Sequence, residues 1–173
     1  MSFTLYDALV PNWQQILGSM AKLLDKAKAH SVDRNLPDSA LIEARLADDM
    51  LPFGYQVKSV VTHSVGAIEG VRKGVFSPDL SPWQDSFAGL KDQVSQALTD
   101  LEQFDPAEIN GFLGTDMRFE FGERRRDFSA ENFLLSFSQP HFFFHATTAY
   151  DILRNNGLTI GKKDFMGKTR VKI

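Results

Sequence analysis

Along most of the chain apolar residues recur at steps of three, four or seven, the period of helices that bury one face. In the first segment the stripe is Leu5, Leu9, Ile16, Met20, Leu23, Leu24 and Ala27. Pro11 lies inside it and is expected to kink the helix or to set its start, because proline lacks a ladder N–H but suits a first turn. His30 falls at the C-terminal end, where the helix dipole favours a cation. "SVDRNLPDS" reads as a loop and "PDSALIEARLA" as a short helix. A second long helix is predicted from Pro52, with Val57, Val60, Val61, Ser64, Ile68 and Val71 inward and His63 near its midpoint. Glycine and proline in "KGVFSPDLS" end it. For the third helix Ser81 reads as the N-cap, with Pro82 at the first helical position and Gln84 three residues after the cap. Its stripe is Phe87, Leu90, Val94, Leu98, Leu101 and Phe104.

The helical period then lapses. "MRFEF" alternates, which predicts a short extended piece or hairpin, and Arg124, Arg125 and Arg126 read as a solvated loop. Helical spacing returns near Ser129, an N-cap with Glu131 in the first turn. Pro140 is expected to break or kink this region, and the last long helix is predicted over residues 140–156, with Gly157 as its stop. Four long helical segments without βαβ alternation predict an all-α, up-and-down four-helix bundle. It has room for one long crossover and carries a short irregular or hairpin insertion before the last helix. One domain is expected over residues 1–173, ending in a basic, irregular tail over about 158–173.

Composition narrows the function classes. The chain has 173 residues, 43% hydrophobic and 24% charged, as in ordinary globular proteins. Its formal net charge of -3 argues against a nucleic-acid partner, which usually demands a basic footprint. With no cysteine, disulfides, a thiolate nucleophile and Cys-ligated zinc are excluded, in keeping with a reducing compartment. "MSFTLYDALVPNW" lacks the basic and apolar regions of a signal peptide, and no apolar run approaches the ~20 residues of a membrane span. The expected setting is the bacterial cytoplasm, without a membrane partner.

The candidate chemistry sits in "QPHFFFHATTAYDILRNNG". His141 and His145 are spaced i,i+4, so a helix projects both from one face. That face continues through Thr148 and Ile152, so it points inward. Two buried imidazoles need hydrogen-bond partners or a metal. His63, near the middle of an opposed helix, is the third ligand available, and facing helices of bundles commonly build such sites. Three neutral histidines leave a coordination position open for water or substrate. Against this, the pair alone is a weak motif, and phenylalanines stand where a zinc-protease helix would carry a glutamate base. Thr147, Thr148, Tyr150 and Asp151 follow the pair; Thr148 is best placed by phase to orient its rings, and Tyr150 and Asp151 are expected to face solvent or another helix.

His63 in the second helix, followed by "HFFFH" opening the last, resembles the DinB/YfiT-like superfamily of metal-binding four-helix bundles. "FFFHATTAYDILRNNGLTIGKKDFMG" looks like one uncharacterised branch, a bacterial family of domains of unknown function. The resemblance covers essentially the whole chain in helix order. It implies that His63, His141 and His145 are the metal ligands, that zinc, nickel, iron or manganese is the ion, and that the activity involves a small-molecule substrate and a low-molecular-weight thiol. It also implies a homodimer. The chain departs from characterised relatives in lacking an evident residue set for a named thiol. Two functions are therefore expected: a divalent-metal-dependent enzyme, transferase-like, or a metal-free bundle that binds a small ligand or a partner chain. In the tail, Ile160, Phe165, Met166, Val171 and Ile173 need cover, from the bundle itself or from a second subunit.

Overall fold

The structure is a computed structural model that describes residues 2–172. The first helix, α1, runs over Leu5–Asp33 without interruption. Thr4 caps it: its hydroxyl accepts from the Asp7 N–H, and the Asp7 carboxylate accepts from the Thr4 N–H. Pro11 neither starts nor ends the helix. It lies on the second turn, where removal of one ladder bond is outweighed by the cap before it and by the buried stripe of Leu9 before it and Trp13, Leu17, Met20 and Leu24 after it. A single short turn, α2 (Ser39–Ile42), is all that forms of the expected second short helix.

The second long helix is split. α3 covers Phe53–Thr62 and α4 covers Val65–Lys73, and His63 stands at the break, not at the middle of a continuous helix. At the break the Ser64 N–H turns to the Val61 carbonyl, and the Ser64 hydroxyl donates to the Val60 carbonyl, which thereby loses its ladder donor, and also to Val61. Gly74, at φ 69°, ends α4 in the left-handed region that only glycine adopts freely.

The third long helix, α5, covers Phe87–Gln103, with Ser86 as its N-cap. The expected cap at Ser81 is therefore corrected by five residues. The cause is Lys58, which is 3% exposed on α3 and needs acceptors for a buried ammonium. Its Nζ donates to the Asp79 carbonyl at 2.9 Å, to the Ser81 hydroxyl at 3.1 Å and to the Ser81 carbonyl. With the Ser81 N–H also donating to the Asp79 carboxylate, residues 79–81 are held as a turn around Lys58, and the Ser81 carbonyl points to the ammonium where an N-cap carbonyl would point along a helix.

After α6 (Pro106–Gly111), two strands, β2 (Asp116–Phe121) and β3 (Arg124–Ser129), form the expected hairpin. Gly122, at φ 58°, opens its two-residue turn. Arg124, Arg125 and Arg126 are thus part of an outer strand, not a loop. The two-residue strand β1 (Val75–Phe76) adds in parallel to β2, giving the order β1-β2-β3.

The last rod has three pieces in register. α7 (Ala130–Asn132) leads into a wider π-helical stretch, Phe133–Ser138, and then α8, Gln139–Asn155. Pro140 explains the widening. It cannot donate to a carbonyl four back, and its ring would crowd the Ser136 carbonyl. The Gln139 N–H instead reaches Leu134, five residues back. Gly157, at φ 87°, follows the last turn as expected.

In cross-section α1 packs on α5 and α8, and α3 also packs on α5 and α8. The first two long segments therefore stand at diagonal corners, and residues 34–52 cross between them. Trp13 meets Phe142 across α1 and α8, with centroids 6.1 Å apart; Phe53 meets Phe87 across α3 and α5 at 6.5 Å. The fold is mainly helical, with the small sheet inserted before the last long helix. The tail turns back on α1 through α9 (Lys162–Met166): Leu158 and Ile160 are buried, and Arg170 donates to the Pro11 carbonyl and the Asn12 and Gln15 side chains. Ile173 lies outside the described residues. No described helix is long and apolar enough to cross a membrane.

Lys58→Met should lower stability by about 1–3 kcal/mol in urea unfolding, because the Asp79 and Ser81 carbonyls lose a charged donor that pins the loop to α3. Asp79→Asn should cost far less, since the Asp79 side chain is half exposed.

Candidate functional site

Both helical interruptions meet at one place. The break after α3 presents His63, and the π-helical stretch presents Phe137 and Ser138 just before His141 and His145. The three histidine rings gather there. Centroids lie 4.6 Å apart for His63 and His141, 5.9 Å for His63 and His145, and 6.3 Å for His141 and His145. The sequence-predicted triad is therefore brought together, with each ring half-buried.

Its ring planes are close to parallel, at 17° and 15° for His63 against the other two. His63 is stacked on His141, and the ring edges do not turn to one point. Among the described residues no group of three or more His, Cys, Asp or Glu is arranged to hold a metal ion.

The protons on these rings follow from their partners. The Nδ1 of His141 lies 2.6 Å from the Phe137 carbonyl, which can only accept, so His141 Nδ1 carries the hydrogen. The Nδ1 of His145 lies 2.7 Å from Gln56 Oε1, and the Gln56 amide nitrogen is already committed to the Leu51 carbonyl. His145 is therefore also the donor. The Nδ1 of His63 lies 3.2 Å from Ser138 Oγ, while that hydroxyl donates to the His63 carbonyl at 3.1 Å. Again the imidazole donates. In all three rings Nδ1–H is engaged, and the lone pair is on Nε2.

Burial also keeps His63 and His145 neutral. It pushes His63 down to about 3, helped by the neighbouring His141 and His145, and pushes His145 down to about 4, helped by His141. The surroundings are aromatic. Phe137 lies 4.4 Å from His141, Phe76 lies 5.4 Å from His63, and the edge of Tyr55 meets His145 at 5.9 Å. The "FFF" between the histidines does not cover them: Phe142 is buried in the core, Phe143 is half-buried, and Phe144 is 59% exposed beside His145.

One expectation is corrected: Thr148 does not orient the rings, because its hydroxyl donates to the Phe144 carbonyl of its own helix. Tyr150 packs on Phe165 of α9 and Asp151 is exposed, as expected of residues that face another helix or solvent. The residues that do orient the rings, Gln56 and Ser138, went unnoticed in the sequence. Gln56 had a visible signal: a polar residue seven before His63, hence on the same helical face, within an apolar stripe. Ser138 had none, since its inward turn depends on the widened helix.

Comparison with known proteins places the chain. A family model described as a domain of unknown function, DUF1993, matches residues 5–166. Among solved structures, a crystal structure of a DinB family member protein from Shewanella denitrificans superposes with a TM-score of 0.81 at 25% identity, covering 98% of this chain and 95% of that one. No curated protein matches significantly.

His63 and His145 make a pH prediction. Their folded-state values lie below the ordinary 6.5, so the unfolded chain binds more protons, and stability falls as pH drops through 6.5 toward 5. The carboxylates shifted by the fold, such as Asp38 and Glu108, all move downward from ordinary values of 3.8 and 4.5, so their contributions are lost only below this window. Melting temperatures between pH 7 and 5 should decline in the native chain and decline less in His145→Gln.

Proposed function

The chain belongs to the DUF1993 family, and from that premise we propose that His63, His141 and His145 bind one divalent metal ion in an enzyme acting on a small molecule. The observation that best supports this is the shared tautomer. Three Nδ1–H groups are held by protein acceptors, which leaves three Nε2 lone pairs in one cluster. Imidazoles on a single tetrahedral ion have ring centres about 5 Å apart, and these stand at 4.6 to 6.3 Å. The helices thus already provide the spacing, and only ring orientation separates the stack from a ligand set. A bound ion would supply Lewis acidity to an oxygen or sulfur donor in the position the histidines leave open. Zinc, nickel, iron and manganese are the candidates, and a thiol-dependent transferase is the reaction class we carry for this site. The protein's own part is to hold Nε2 unprotonated, through Ser138, Phe137 and Gln56, and to screen the cluster from water with Phe76, Phe137 and Tyr55.

The stacking itself favours a second reading, a metal-free bundle that binds a small ligand, because stacked neutral rings with filled Nδ1 positions need no ion. Elemental analysis of tag-free protein purified without chelator decides between them. The metal reading expects about one equivalent per chain and a stabilisation on adding the ion of about 2.7 kcal/mol at a hundredfold excess over Kd. His145→Ala should lose both. Protein with no metal and no thermal response to any of the four ions leaves the ligand-binding module.

A homodimer is proposed alongside. With the tail seated on α1, its exposed Met166 and Val171 are the apolar side chains a second copy would cover. Light scattering on the full-length protein should give twice the chain mass, and Val171→Asp should shift it toward the monomer.

A further inference from the structure

We propose that the β2–β3 hairpin supplies an oxyanion-binding rim to the histidine cluster, with Arg124 and Arg126 as the groups that hold a carboxylate or phosphate of the ligand. The inference rests on the reading of that cluster as a small-molecule site.

The hairpin register sorts its side chains onto two faces. Opposed residues share a face, and alternate pairs face opposite ways. One face carries the pairs Met117 with Phe128, Phe119 with Arg126, and Phe121 with Arg124. The other carries Asp116 with Ser129, Arg118 with Asp127, and Glu120 with Arg125. Each face thus has two arginines, yet all the strand carboxylates lie on the second. There Arg118 binds Asp127 at 2.6 Å and Arg125 meets Glu120 at 3.5 Å. On the first face no carboxylate is present in the strands, and among the described residues Arg124 and Arg126 have no ion-pair partner.

The first face is the one turned to the histidines. Phe128 packs on Phe133 at 5.9 Å and on Phe137 at 5.8 Å, and Phe119 packs on Phe137 at 5.0 Å. Phe137 in turn lies 4.4 Å from His141. Along the hairpin the first face runs beside the last rod: Phe128 sits between Phe133 and Phe137, Phe119 with its partner Arg126 stands beside Phe137, and the next pair, Phe121 and Arg124, continues in the direction of His141. Two exposed guanidinium groups without a carboxylate partner therefore stand on the hairpin face that runs beside the aromatic cluster. Guanidinium forks recognise carboxylate and phosphate through paired hydrogen bonds.

Inorganic phosphate and acetate, titrated separately at low ionic strength into full-length, metal-free protein, test this through the imidazole C–H signals in NMR. At least one anion should bind saturably and shift His141 or His145. Arg126→Gln and Arg124→Gln should each weaken binding about tenfold, with partial rescue by Arg126→Lys. Arg118→Gln with Arg125→Gln, on the opposite face, should leave affinity within about twofold. A preference for phosphate identifies a phosphate-bearing ligand; acetate binding as well or better identifies a carboxylate. No saturable binding of either anion, or equal losses from both faces, overturns the rim. The metal reading is judged apart. Arg124 and Arg126 variants should keep the native metal content, and His63→Ala should lose metal while the metal-free protein still binds the anion.

Discussion

A reciprocal hydrogen bond between His63 and Ser138 holds the architecture of this site together. The serine hydroxyl donates to the His63 carbonyl and accepts from the His63 ring. Each partner sits where a helix has lost its regular ladder: one at the end of α3, the other in the widened turn before Pro140. Buried backbone groups freed by an interruption must find partners. Here the two interruptions supply each other, so neither is a defect that the core has to absorb. Straightening either helix would strand polar groups of the other.

That constraint also places the chemistry. At the break between α3 and α4 the His63 ring faces α8, as Gln56 does two turns earlier, and stacks on His141. The π-helical stretch does the matching work on the other side, since one widened turn rotates everything after it relative to Phe133. Phe133, Phe137, His141 and His145 consequently form a single column facing β2 and the break. The aromatic half of the column packs the sheet to the bundle, and the imidazole half is left beside it with its Nε2 atoms free.

Much of this was legible in the sequence. The apolar stripes of α1, α5 and α8 were set by helical period, and the burial of Leu9, Val94 and Ile152 follows it. The i,i+4 pair and its inward phase were equally plain, as was the alternation of "MRFEF". What escaped were events that depend on contacts between distant segments. The loop before α5 is held open by Lys58, twenty-odd residues earlier. The start of that helix moves because the Ser81 carbonyl is turned to the ammonium, although Ser81 and Pro82 are good helix-starting residues locally. The arginine run looked like a loop because charge obscures the strand period; only pairing with β2 gives it a register. Phe144 follows the buried Phe142 and the half-buried Phe143, yet on a 100° helical step it lies away from Phe142 and is exposed.

The outer position of β3 has one more consequence. Its far side is an open strand edge, with backbone groups that no fourth strand covers. Such an edge is a template on which another chain could add, and natural proteins protect it with charge. Three successive arginines lie along it. Two copies approaching edge to edge would bring these cations together before any backbone bond could form. The same run that divides its guanidinium groups between the two faces of the hairpin thus also protects the protein from aggregating through its own sheet.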